Sequence, residues 1–103
     1  MRRVLYRADP YQVDLQIELK TGGNRLAITG QLLEVSRPDI AASQVQVTLS
    51  NRRGSLLHTL TNQFGKFGGE IENSGDLDIS FPRPGENPVV ILLRNALDGL
   101  PEE

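Results

Sequence analysis

The chain has 103 residues, of which 38% are hydrophobic and 23% charged, and its net charge is −2. This length matches one domain, and the balance excludes a disordered chain and a strongly basic nucleic-acid-binding protein. Cysteine is absent, which excludes disulfides, thiolate metal ligands and a cysteine nucleophile. We therefore expect a single domain over residues 1–103, with an N-terminal segment at 1–10 and a C-terminal tail at 95–103.

The N-terminal segment contains one short apolar run, Val4–Tyr6. This run is too short for the core of a signal peptide, and no stretch approaches the roughly 20 apolar residues of a membrane span. We expect no membrane span, no nucleic-acid partner, and a cytoplasmic location if the chain is complete. Val4–Tyr6 is predicted to form a short edge strand that is interrupted at Asp9-Pro10, because proline lacks an N–H donor.

Alternation of apolar and polar residues predicts the next two strands. It is clearest in Tyr11–Lys20, where every second side chain is apolar and is expected to face a core. Thr21–Asn24 is typical of a hairpin turn, and Arg25–Val35 is the predicted return strand. Gly30 inside that strand indicates a bulge or a close approach of another group to the backbone.

The second half of the chain repeats this pattern after a connection at Ser36–Ser43, which is expected to cross between sheets. The predicted strands are Gln44–Ser50, Ser55–Thr61, Lys66–Glu72, Asp76–Phe81 and Pro88–Arg94. Pro82–Pro88 is predicted to be a loop because it contains three prolines, and the tail is predicted to hold at most one weak helical turn. Seven or eight short strands without a helical period predict an all-β sandwich or small barrel.

Three motifs follow one another in the chain: Ile28-Thr29-Gly30-Gln31-Leu32, Val45-Gln46-Val47-Thr48-Leu49 and Thr61-Asn62-Gln63-Phe64-Gly65-Lys66-Phe67. This order resembles the transthyretin-like (prealbumin-like) modules, which include the carboxypeptidase regulatory-like domain and the collagen-adhesin B-type repeats. The resemblance covers roughly residues 26–93 and departs at Gly75-Asp76-Leu77, where Leu replaces the usual Tyr. It implies a seven- to eight-stranded antiparallel Greek-key β-sandwich, and it leaves strand 11–20 outside the shared pattern, as an added edge or a family-specific addition.

These modules are mostly not enzymes, so the resemblance implies a stalk, spacer, docking or accessory domain. We expect a non-enzymatic accessory or protein-interaction module without a cofactor, used as a homodimer or beside a larger bacterial protein. The alternative is a small-ligand or carbohydrate-binding sandwich. The absence of tryptophan and the presence of only five aromatic residues speak against that alternative.

The last motif, Thr61–Phe67, is typical of a corner that folds one sheet over another. Asn62 is expected to hydrogen-bond to its own backbone, Gly65 to take a positive φ, and Phe67 to point into the core. Phe64 at the tip has two interpretations: it caps the end of the sandwich, or it is an exposed anchor for a partner.

Other candidate chemistry is sparse. His58, the only histidine, lies between Leu56 and Leu60 on one face of a predicted strand and has no catalytic neighbour in the sequence, so a structural role is expected. The acidic residues Glu70, Glu72, Asp76 and Asp78 alternate as calcium ligands would, and equally as the solvent-facing side of a sheet would. We expect no catalytic, cofactor-binding or metal-binding residue.

The last predicted strand is apolar on both faces over Val89–Leu93, so it needs cover on both sides. Either Val4–Tyr6 or the tail supplies that cover, or one face is exposed and marks a partner surface. The candidate interface residues are Phe64, Val89, Ile91, Leu93, Leu97 and Leu100.

Overall fold

The computed structural model describes residues 2–37 and 40–94, and within these ranges it contains strands and no helix. The prediction of an all-β, antiparallel fold is confirmed. The strands are β1 (Arg2–Ala8), β2 (Tyr11–Leu19), β3 (Arg25–Glu34), β4 (Gln46–Ser50), β5 (Leu56–Leu60), β6 (Lys66–Glu72), β7 (Leu77–Arg83) and β8 (Glu86–Leu93).

The eight strands form two four-stranded sheets that enclose one core. Sheet A has the order β1-β2-β3-β6, and sheet B has the order β5-β4-β7-β8. The connections β3–β4 and β5–β6 both pass from one sheet to the other, as the sequence predicted for residues 36–43 and for the corner Thr61–Phe67.

The interpretation of strand 11–20 as an added edge was wrong. Arg2–Ala8 forms a complete strand rather than the short run Val4–Tyr6, and it pairs with β2 along its whole length, from Arg2 opposite Ile17 to Ala8 opposite Tyr11. β2 therefore lies between β1 and β3 in the interior of sheet A. The edge on this side of sheet A is β1, whose three arginines are typical of an edge strand protected by charge.

The core contains the inward side chains of both sheets, because alternate residues of a strand point to the same face. In sheet A the residues Val13, Leu15, Ile17, Leu26, Ile28 and Leu32 are fully buried, and in sheet B the residues Val47, Leu49, Leu77 and Ile79 are. Tyr11 packs on Phe81 with ring centroids 5.9 Å apart. Burial raises the pKa of the Tyr11 phenol, and the negative charge of Glu34 adds to the rise.

The sequence signal at Gly30 is explained by a close approach rather than by a bulge. A Cβ atom built on Gly30 would collide with the ring of Phe67 and lie 2.9 Å from Leu15 Cδ2. Gly30 pairs with Phe67 across β3 and β6, so the missing side chain gives the aromatic ring its place in the core.

The corner Thr61–Phe67 has the predicted local structure. Asn62 Oδ1 accepts hydrogen bonds from the backbone N–H of Phe64 (2.8 Å) and of Lys66 (3.0 Å). Gly65 has a φ of +74° and Phe67 is buried. The buried Thr61 hydroxyl donates to the carbonyl of Ala42 (2.7 Å) and accepts from the N–H of Val45 (2.9 Å), which ties the corner to the chain that enters β4.

The prediction of a loop at Pro82–Pro88 was wrong, because β7 and β8 form a hairpin with only Pro84 and Gly85 between them. Pro82 lies at a register irregularity, beyond the last residue of β7 that pairs with β4. Pro88 lies on an edge strand. Proline is tolerated at both kinds of position because no ladder hydrogen bond is lost there.

Candidate interaction surface

The structure separates the two faces of the last strand. The sequence analysis predicted that Val89, Ile91 and Leu93 are interface residues. This prediction was wrong, because these side chains are at most 8% exposed and lie in the core. Val90 and Leu92 point the other way and are each 53% exposed. The nominated set was wrong by one residue in register, and a slip of one residue exchanges the two faces of a strand.

The other predictions about this region have different outcomes. Val4 lies on β1 in the opposite sheet and packs against the core that contains Val89, Ile91 and Leu93, but it does not cover the outward side chains Val90 and Leu92. Leu97 and Leu100 lie outside the described residues. Phe64 is 55% exposed, and its backbone carbonyl accepts a hydrogen bond of 2.9 Å from Gln31 Nε2. Its ring is therefore on the surface at one end of the sandwich.

Val90 and Leu92 belong to a larger surface, the outer face of sheet B. Register and alternation place three outward residues on each strand of this face. We define the sheet B outer face by these residues: Leu56, His58 and Leu60 on β5; Gln46, Thr48 and Ser50 on β4; Asp78, Ser80 and Pro82 on β7; Pro88, Val90 and Leu92 on β8.

This face has apolar margins and a polar, almost uncharged centre. Leu56 and Leu60 on the edge strand β5 are each 62% exposed, and Val90 and Leu92 form the opposite margin. The two central strands contribute three hydroxyls, one amide, Pro82 and the carboxylate of Asp78, and Thr48 Oγ1 lies 3.0 Å from His58 Nδ1. With histidine neutral, Asp78 is the only charged member of the set defined above.

The outer face of sheet A is different because charged side chains cover it. Arg3 forms a two-pronged ion pair with Asp14, with N–O distances of 2.8 and 3.1 Å, and the hydrogen bonds and charge of Asp14 raise the pKa of the Arg3 guanidinium. Glu70 on β6 is paired with Arg25 at 3.3 Å and with Lys20 at 3.8 Å. A face solvated in this way is poorly suited to the dry centre of an interface.

Three of the four acidic residues that alternate like calcium ligands, namely Glu70, Glu72 and Asp76, are paired with bases. Arg53 contacts Glu72 at 2.6 Å, while Arg52 lies 2.8 Å from Asp76. Residues 2–37 and 40–94 contain no group of three or more His, Cys, Asp or Glu side chains arranged to hold a metal ion. Asp78 is the one acid of this stretch that lies on the sheet B outer face.

Two open depressions show what each sheet could hold. The one on sheet A is lined by polar groups, including Asp14, Gln31 and Lys66, and its lining in the described chain includes no aromatic side chain. The one on sheet B lies between Gln46 and the two prolines of the face. A sugar site needs an aromatic surface to stack on, so the sheet A depression does not favour the carbohydrate alternative.

Comparison with family models, with curated proteins and with solved structures finds no match to this chain. In the part of the chain that the structure describes, no helix is long and apolar enough to cross a membrane. Function therefore has to be inferred from the surface itself.

Proposed function

We propose that this chain is a non-enzymatic β-sandwich module that acts by protein–protein contact through the sheet B outer face. The single observation that carries the proposal is the half-exposed row of aliphatic side chains along both edge strands of sheet B, around a centre with one charge. Exposed aliphatic side chains on a face with few charges are typical of protein-interaction surfaces, because charged residues are depleted at the centre of interfaces.

The contrast between the two sheets supports this assignment. Both sheets bury their inner faces in the same core, so burial in the fold does not require an apolar outer face on either. Sheet A has charged residues on its outer face, and sheet B has leucine and valine at the equivalent edge positions. Since exposed aliphatic groups cost about 25 cal/mol per Å² of surface left in water, a partner that covers them gains free energy.

We also propose that the sandwich is a transthyretin-like, Greek-key module of the carboxypeptidase regulatory-like kind. It serves as an accessory domain beside a larger bacterial protein or as a homodimer. The support is the order of the three sequence motifs and the local structure of the last one, in which Asn62, Gly65 and Phe67 have the conformations and burial expected from their sequence.

A photo-crosslinking phenylalanine analogue placed at single positions tests the interaction proposal in the native host. We expect the analogue at Leu60 or at Leu92 to give one discrete protein adduct, because both side chains lie on the proposed contact face. The matched control is Leu5, which is 63% exposed on the outer face of sheet A and should give no discrete adduct. Equal labelling from Leu5, or no adduct from either sheet B position, would contradict the proposal.

A further inference from the structure

We infer that the partner on the sheet B outer face is a second copy of this chain, related to the first by a two-fold axis that runs parallel to the strands of sheet B. This inference rests on the proposed function above, and it adds the identity of the partner and the geometry of the contact. The two outer faces would then pack together as two sheets do in a sandwich.

The strand order of sheet B makes this arrangement self-complementary. A two-fold axis along the strands, midway between β4 and β7, places β5 of one copy over β8 of the other and β4 over β7. Residues that pair from strand to strand form rows across the face. Leu56 and Leu92 lie at the two ends of one such row, and His58 and Val90 lie at the two ends of the next row. Each apolar margin therefore meets the opposite apolar margin of the second copy, as an isologous interface requires.

The single charge of the face selects this axis over the other simple one. Ser50 is the cross-strand neighbour of Asp78 within one copy, and with the axis along the strands Ser50 of the second copy also lies over Asp78, so two serine hydroxyls can donate to the carboxylate. With the axis across the strands, β7 lies over β7 and Asp78 faces Pro82, which has no donor. A buried carboxylate is stabilised by the hydrogen-bond donors around it, so the second arrangement, which supplies one donor fewer, is disfavoured.

The available area suits a weak dimer. Four strands about 4.8 Å apart and five residues long form a patch of roughly 19 by 17 Å. Two such patches have a projected area of roughly 650 Å² in total, which is below the roughly 1,200 Å² at which specific, stable interfaces begin and places the contact among weak, transient ones. We therefore expect association in the micromolar range rather than an obligate dimer.

Disulfide trapping tests both the partner and the axis, and the chain suits it because it has no cysteine of its own. The informative variant is Leu56→Cys combined with Leu92→Cys. Within one copy these positions are three strand spacings apart, about 14 Å, which is too far for a disulfide. In two copies related by the proposed axis, Leu56 of each copy faces Leu92 of the other copy, so two disulfides can form between them.

Under mild oxidation we expect the double variant to give a covalent species of twice the 11.4 kDa mass, and to stop there because a two-fold interface is closed. Each single variant should remain largely monomeric. The matched control is Leu5→Cys combined with Lys66→Cys, which places the same two groups in one cross-strand row on the edge strands of the sheet A outer face.

Three results would overturn the inference. The first is a yield of covalent dimer no higher than that of the sheet A control. The second is a ladder of covalent trimers and larger species. The third is a dominant covalent dimer from Val90→Cys alone, which would place β8 of one copy over β8 of the other. If one of these results occurs but the photo-crosslinker at Leu60 or Leu92 gives a discrete adduct with a different protein, the proposed function stands and only the homodimer is contradicted. If the disulfide and the photo-crosslinking experiments both fail, the homodimer and the proposed function are both contradicted.

Discussion

Ile91→Asp is expected to unfold the protein, whereas Leu92→Asp, one residue further along β8, is expected to leave it folded. Ile91 is 3% exposed and lies in the core, while Leu92 is 53% exposed on the outer face of the same strand. The two variants introduce the same charge into the same strand. Their difference therefore measures which face of β8 is inside.

The magnitudes make the contrast large. Removing a buried isoleucine side chain costs about 2–5 kcal/mol, and an unpaired carboxylate in the same place costs several kcal/mol more. Domains of this size are stable by about 5–15 kcal/mol, so Ile91→Asp should remove most or all of the stability. Leu92→Asp should cost about 1 kcal/mol, mainly because aspartate is a poor strand former.

Far-UV circular dichroism at 25 °C and urea denaturation measure both variants. We expect Ile91→Asp to lack the β-sheet spectrum, and Leu92→Asp to keep it with a midpoint close to that of the wild type. Equal destabilisation by the two substitutions would show that both faces of β8 are buried, and it would remove the exposed apolar margin on which the proposed function depends.

Gly65→Ala is expected to destabilise the fold by about 2–5 kcal/mol through two separate effects. The first is backbone strain, because Gly65 has a φ of +74°, which residues with a Cβ atom rarely adopt. The second is a collision, since a Cβ atom here would overlap the carbonyl oxygen of Leu32 and lie 3.2 Å from Ala41 Cβ. Leu32 also donates its N–H to the Gly65 carbonyl at 2.8 Å, so relief of the collision would disturb β3.

Gly85→Ala separates the two effects. Gly85 has nearly the same φ, +71°, but a Cβ atom built there has no neighbour within 4 Å. We expect it to cost about 1–2 kcal/mol, the strain alone. The free energy of unfolding from urea titrations gives both values, and a similar loss in the two variants would show that Gly65 is required only for its backbone conformation.

The parts of the fold that the sequence predicted well depend on local physics. Alternation in Tyr11–Leu19 fixes which side chains enter the core, and the corner at Asn62 and Gly65 is a local hydrogen-bonding and φ requirement. These features do not depend on what the strands pack against, so a single sequence contains enough information for them.

The errors concern features that depend on neighbours in space. The position of β2 inside sheet A follows from pairing with Arg2–Ala8, and that segment has a weak strand signal of its own because arginines interrupt it. Pro82 and Pro88 lie where the sheet makes no ladder bond, which only the pairing shows.

The same limit applies to the candidate surface. A strand apolar on both faces, such as Val89–Leu93, offers two equivalent registers, and alternation alone does not choose between them. Phe64 was nominated by its place at the tip of the corner, and its 55% exposure follows from that place. The sheet B outer face was missed because its members come from four separated strands and only the register brings them together. The one local signal for this face was in β5, where Leu56, His58 and Leu60 alternate with less exposed residues and therefore point to the same side of the sheet.

Methyl NMR with an uncharged paramagnetic co-solute tests most directly whether the sheet B outer face is covered by a second copy. In dilute solution we expect the co-solute to broaden the methyl signals of Leu56, Leu60, Val90 and Leu92 as strongly as those of Leu5, because all five are more than half exposed. In concentrated solution the four sheet B residues should be protected while Leu5 stays broadened. Broadening that is the same at both concentrations, or protection of Leu5 as well, would contradict the proposed contact surface.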